Sequence, residues 1–271
     1  MADTQLNGLP SSDKHGLVIR RLPEDEFCSY RGIWNRLLDL SGSDSFFLKW
    51  EWLYTFWETV DKRDAELHVW LCLDGSKLVG IAPFYIYKSR FMGITVRKLA
   101  FLGDRVASDY MDIVTLPGYE ENCCRHVMQH IYGPASPTYD VLELNSVCED
   151  SNLYGYLTGD NHPRNDLLVL KSFECPRARL GVSFDQYFAG LSPSTRYSLG
   201  RKQRKLERDF GSIKIRHQDL AQHPEFLDIL FRLHKERWDV RTDAKSTFDT
   251  AYRKTFNEHL LHRLGEGDGF F

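Results

Sequence analysis

The chain has 271 residues, of which 42% are hydrophobic and 27% charged, with a formal net charge of −3. This is the composition of a folded globular protein, so extended disorder is excluded, as is any global attraction to nucleic acid or an anionic membrane. The length exceeds what one compact core usually organises and points to two domains or one large one.

Residues 1–16 are polar, carry Gly8, Pro10 and Ser11-Ser12, and lack the apolar centre of a signal peptide, so they read as a loose tail. Leu17 to Leu22 reads as a strand that stops at Pro23. Over Glu24 to Leu40, Phe27, Tyr30, Ile33, Trp34, Leu37 and Leu38 recur at helical spacing, and Trp50, Leu53, Tyr54 and Trp57 mark a second helix from about Lys49 to Val60. Strands are expected at Leu67 to Leu73, Leu78 to Lys88 and Lys98 to Phe101, the first two joined at Asp74-Gly75, a hairpin signal. A strand at Tyr110 to Thr115, a turn at Pro117-Gly118, a helix from Glu120 to Tyr132 and a strand from Tyr139 to Leu144 complete the order β-α-α-β-β-β-α-β. The run Leu78 to Tyr87 is about half the roughly 20 apolar residues of a membrane helix, so no membrane span is expected.

Residues 149–191 are loose in composition and read as a linker and crossing segment, with a strand at 167–171 and a short helix at Ser183 to Leu191. From Ser194, an expected N-cap, a helix runs to Gly211 with Leu199, Leu206 and Phe210 as a thin apolar stripe. Arg196, Arg201, Lys202, Arg204, Lys205 and Arg208 give it a local anion-attracting surface. A strand at Ser212 to Arg216 and helices at 220–238 and 246–264 follow.

The six cysteines, at 28, 72, 123, 124, 148 and 175, form no Cys-x-x-Cys pair and read as reduced thiols of a cytoplasmic protein. Cys123, His126 and His130 are expected on one side of the 120–132 helix, opposite Cys124, Val127, Met128 and Ile131. No fourth ligand is evident, so no metal is expected.

The element order resembles that of the GNAT superfamily of N-acetyltransferases. Phe46-Phe47 before Glu51-Trp52-Leu53, the run Leu78 to Phe84, Phe101-Leu-Gly103 leading to Asp109-Tyr110-Met-Asp112, the basic helix, and Leu233-His-Lys-Glu-Arg-Trp238 occur in the order of the CelD-type family of cellulose biosynthesis, a branch similar in architecture to the Fem peptidyltransferases. The resemblance covers residues 17 to 264 and implies an α/β (α+β) fold of tandem GNAT-like modules. The first, 17–148, is complete but degenerate; the second, 192–271, is incomplete.

It also implies an acyl-coenzyme A-dependent N- or O-acyltransferase, with acetyl-coenzyme A or another acyl-coenzyme A as co-substrate and a saccharide or cell-envelope precursor as acceptor. In GNAT enzymes the turn before the third helix holds the coenzyme pyrophosphate on backbone N–H groups. Here that turn is Leu116 to Asn122, where Pro117 lacks a donor and Glu120-Glu121 add negative charge, so the coenzyme site is expected beyond Phe271 and the 271-residue chain alone is expected to lack it.

The resemblance assigns Asp104, Asp109 and Tyr110 to acceptor contacts, and Arg196, Arg201, Arg204, Arg237 and Trp238 to substrate binding. His234 is the candidate base, with packing beside Trp238 its alternative role. Helices that lack their sheet would expose apolar faces and self-associate. Two other functions remain open: a non-catalytic module using helix 194–208 on an anion or nucleic acid, although the net charge argues against nucleic acid, and a Fem-like aminoacyl transferase.

Overall fold

The computed structural model describes residues 16–43, 45–159, 168–169, 173–176, 183–214, 225–240, 246, 248 and 250–265. The chain divides into two compact units, residues 1–165 with 220–271, and residues 166–219.

In the first unit, strand β1 (Val18–Arg21) leads through a 3-10 turn (Glu24–Tyr30) into α1 (Arg31–Ser41), which ends at Gly42 in the left-handed conformation. Helix α2 (Trp50–Thr59) starts where the Asn35 side chain accepts from the Trp50 backbone N–H at 3.0 Å. Asn35 also donates to the buried Glu51 carboxylate, which the Arg31 guanidinium meets at 2.8 Å, so this interior charge is paired.

Strands β2 (Ala65–Asp74), β3 (Lys77–Phe91) and β4 (Ile94–Phe101) form an antiparallel meander. The turn residues of the first hairpin are Gly75-Ser76, with Asp74 still paired to Lys77. Both central strands outrun expectation because a second hairpin turns at Met92-Gly93, where both residues have positive φ, 49° and 84°. The sheet order is β1-β2-β3-β4-β6, and β6 (Val141–Glu143) lies parallel to β4. The sheet is therefore mixed, and the fold is α/β with eight α-helices among the described residues.

Both faces of the sheet are covered, which explains why its strands read as near-continuous apolar runs. On one face Tyr85 meets Phe56 of α2, with ring centroids 5.2 Å apart. On the other, α3 (Glu120–Tyr132) sets His130 against Trp70 at 5.2 Å. Helix α3 comes so close that a Cβ on Gly80 would lie 2.8 Å from Cys123 Sγ. Cys123 is thus fully buried and not on the solvent side of α3. All six cysteines are free thiols.

The expected strand at 110–115 shortens to β5 (Val114–Thr115), which pairs with β3 at Gly80-Ile81. Since β4 pairs with β3 from Phe84 onward, β4 and β5 are two parts of one edge, interrupted by residues 102–113. The expected linker contains α4 (Asn152–Thr158), capped by Ser151 and packed on α3, with Leu153 buried. Three backbone N–H groups, of Ile113, Asn152 and Leu153, donate to the Asp112 carboxylate and tie the interrupting segment to α4.

Helices α7 (Glu225–Asp239) and α8 (Ala251–Gly265) also belong to this unit. Helix α8 does not expose its apolar face: Phe256 and Leu260 are buried, with Phe256 edge-on to Trp52 at 4.9 Å, and Arg263 bonds Thr55 and pairs with Glu58 of α2. Helix α7 buries Leu227 and Phe231 but leaves Leu230 and Leu233 exposed.

The second unit holds α5 (Phe184–Gly190), capped by Ser183, and α6 (Pro193–Phe210). The N-cap of α6 is Ser192, with Pro193 in the first turn, so the helix starts one residue before the expected Ser194 cap. Residues 168–169 and 212–214 are not in strands; the rest of the strands expected at 167–171 and 212–216 lies outside the described residues.

Candidate active site

The segment between β4 and β5 departs from the sheet because its backbone is driven into the left-handed region three times, at Gly103, Ala107 and Tyr110, with φ of 96°, 63° and 54°. Non-glycine residues adopt this conformation at a cost and concentrate at functional sites. Two hydrogen bonds fix the segment from beneath. The Trp52 indole donates to Ser108 Oγ at 2.8 Å, and Ser108 donates to the Gly103 carbonyl. A Cβ at Gly103 would crowd Ser108 Oγ, Leu53 and Trp52, so only glycine fits this corner.

The departure opens β4 from its parallel neighbour. The two strands pair at residues 98–100 with 141–143, and the segments that follow them meet only at the isolated parallel bridge Met111–Val147 among the described residues. Asp104 sits in this opening. Tyr85 donates its phenolic proton to the Asp104 carboxylate at 2.6 Å, and Asn145 also bonds it. Next to it, Tyr87 donates to Glu143 at 2.9 Å, and Lys98 pairs with Glu143 at 3.0 Å. The Arg105 guanidinium lies over the Tyr87 ring, 5.2 Å from its centroid. Arg105 and Asn145 are exposed, so the cluster reaches solvent.

Burial pushes the Asp104 carboxyl up to about 6, and nearby Glu143 adds to this, against the opposing pull of the Tyr85 bond, Arg105 and Asn145. The Tyr85 and Tyr87 hydroxyls are held protonated, chiefly by burial and further by their carboxylate partners. A carboxylate poised near neutral pH and aimed by a phenol is a proton acceptor in waiting.

Of the residues singled out from sequence, Asp104 lies at the centre of this cluster, while Asp109 is exposed and Tyr110 half-buried on the same segment. The His234 ring is engaged at both nitrogens. Trp238 Nε1, which can only donate, bonds Nε2 at 3.0 Å, so the ring proton lies on Nδ1 and goes to Ser246 Oγ at 2.9 Å. This geometry matches the packing role, with Phe248 edge-on to the ring. Arg237 is exposed on α7. Arg196 bonds the Ala189 carbonyl at the end of α5, and Arg201 and Arg204 are exposed on α6, a helix with no buried residue. Tyr85, Tyr87 and Glu143 were missed from sequence because they alternate along strands with core residues.

Residues 193–270 match the family model of the acetyltransferase (GNAT) domain. The matched stretch comprises α6, α7 and α8. No curated protein matches the chain. GNAT domains use acyl-coenzyme A as co-substrate, and the α3 turn can be tested for that ligand. Gly118 has φ of 86°, Pro117 offers no N–H, and Tyr119 caps the helix without a side-chain bond. The adjoining groove, about 320 Å³, is lined by Glu120, Glu121, Ser151, Asn152 and Tyr156. Two carboxylates where a pyrophosphate would lie repel it, so the residues at this turn do not fit the coenzyme. Among the described residues, no cluster of His, Cys, Asp and Glu could hold a metal ion, and no helix is long and apolar enough to cross a membrane.

Proposed function

We propose that the protein is an acyl-coenzyme A-dependent acyltransferase of tandem GNAT-like architecture, in which residues 17–148 form the acceptor-side module and the donor is taken up by the module that begins at 192, so that, against the expectation from sequence, the 271-residue chain itself uses acyl-coenzyme A. The GNAT match over residues 193–270 carries this reading. The acceptor is an amine or hydroxyl on a polysaccharide or cell-envelope precursor, as the CelD-type resemblance implies. Coenzyme A, when bound, supplies the activated thioester.

The chain's own contribution is at Asp104. Ionised above about pH 6, its carboxylate accepts a proton from the acceptor, while Tyr85 and Asn145 fix its orientation and Arg105 offsets its charge. His234 holds α7 to residues 246–248 and is not the base in this scheme. Release of free thiol from acetyl-coenzyme A in the presence of mixed amine and sugar acceptors tests the proposal. Wild-type protein should release thiol, and Asp104→Asn should slow it by about 100-fold or more. Absence of acceptor-dependent thiol release, or full activity in Asp104→Asn, would reject it.

A further inference from the structure

We propose that α6 is a peripheral membrane anchor, which lies in the surface of an anionic lipid bilayer with Leu199, Leu206 and Phe210 among the acyl chains and its cations drawn to the phosphate headgroups. The inference goes beyond the transferase reading and does not depend on it.

The observation behind it is a helix with an apolar face that the protein does not use. Helices in proteins owe most of their stability to burying such a face, yet none of the 18 residues of α6 is buried. Leu199, Leu206 and Phe210 are 42%, 47% and 79% exposed. At intervals of seven and four residues they fall within an arc of about 40° on one side of the helix. Tyr197, Arg201, Arg204 and Arg208 occupy an arc of about 60° on the opposite side. Helix α5, in the same unit, also buries nothing and leaves Phe184 exposed. The unit formed by residues 166–219 thus has no buried side chain among its described residues, and packing within it does not hold the stripe.

Charge decides what covers that stripe. Arg196, Arg201, Lys202, Arg204, Lys205 and Arg208 stand against Glu207 and Asp209, so the helix carries a net +4 in a chain whose total is −3. Asp209 pairs with Arg208 at 3.0 Å, and Glu207 accepts from Gln203. Arg201, Lys202, Arg204 and Lys205 have no carboxylate partner among the described residues. A second copy laid on the stripe would set one cationic helix against another. A nucleic acid would engage the arginines and leave Leu199, Leu206 and Phe210 in water. An anionic bilayer meets both faces, since acyl chains take the stripe and the headgroups attract the cations. Lys202, at the border of the stripe, can bury its stem in the interface and keep its ammonium at the headgroups. The attraction is local to α6, because the rest of the chain is acidic, and it is therefore sensitive to salt.

Co-sedimentation of the full chain with vesicles tests this, with phosphatidylcholine alone compared against an equal mixture of phosphatidylcholine and phosphatidylglycerol. The chain should sediment with the anionic vesicles and not with the neutral ones, and about 0.5 M sodium chloride should release most of it. Arg201→Gln with Arg204→Gln should weaken binding about 20-fold, at about fivefold per cation. Leu206→Gln with Phe210→Gln should weaken it about 20-fold or more. Neither pair should lower the melting temperature, because none of these side chains is buried. Hydrogen exchange should show residues 193–210 protected once anionic vesicles are added. Failure to sediment with the anionic vesicles, undiminished binding by Leu206→Gln with Phe210→Gln, or protection confined to other residues would overturn the proposal. A lower melting temperature in that apolar pair would also overturn it, since the stripe would then be packed within the protein. So would protection of 193–210 that rises with protein concentration alone, which identifies a second copy, or displacement from the vesicles by a single-stranded oligothymidylate that the apolar pair binds as well as wild type, which identifies a nucleic acid.

Discussion

At the scale of single residues, the chemistry of this fold is concentrated where its backbone is least comfortable. Gly103 provides a corner that no side chain fits, and Asp104 follows it into the gap between β4 and β6. Gly103→Ala should therefore cost about 2 kcal/mol or more, from the left-handed backbone and from contact with Ser108 and Trp52, measured by urea unfolding. Asp104 and Asp112 each have carboxyls raised to about 6, mainly by burial. Below the unfolded value near 3.8 both states are protonated and no penalty arises. Between there and about 6 the folded state holds more protons than the unfolded one, so stability falls as pH rises through this window. Asp104→Asn should flatten that slope without abolishing it, since Asp112 remains. Activity should run the opposite way, with kcat/KM rising through about pH 6 as Asp104 ionises.

At the scale of elements, α8 is the informative case. Its contacts with α2 join parts of the chain some 200 residues apart in sequence, Arg263 with Thr55 and Glu58 among them. Phe256→Ala should loosen this docking at a cost of about 3–5 kcal/mol. Because Phe256 lies on Trp52, the change should appear as a lower melting temperature with altered near-ultraviolet circular dichroism.

The sequence showed where α2, α3 and the central strands lie, because Trp and Val/Ile spacing follows burial on one or two faces. It did not show α4, whose Gly155 and flanking Asp and Asn residues read as a loop, although Ser151 and Asp112 cap it. Nor did it show that the strand expected at 110–115 is cut to Val114–Thr115, since Tyr110 in the left-handed region breaks a pattern that reads as continuous strand. Asp104 was legible through its motif. Its partners Tyr85 and Glu143 were not, because only the register of β3, β4 and β6 brings them together.

At the scale of the whole molecule, the family match and the compact units cut the chain differently. The GNAT-matched stretch joins α6 to α8 in sequence, whereas α8 shares a unit with residues 1–165 and α6 lies in residues 166–219. Cooperative units exchange their amide hydrogens together, and segments without buried side chains exchange first. Helix α6 has no buried residue despite its 18-residue length, and α5 has none either. Hydrogen exchange followed by mass spectrometry should therefore show residues 184–210 exchanging early, ahead of every helix of the first unit. Peptides covering 251–265 should instead exchange with those of α2, at a rate that rises in step with α2 in Phe256→Ala. Early exchange of α8 together with α6, independent of α2, would show that the matched domain behaves as one body and that α8 is not docked on α2.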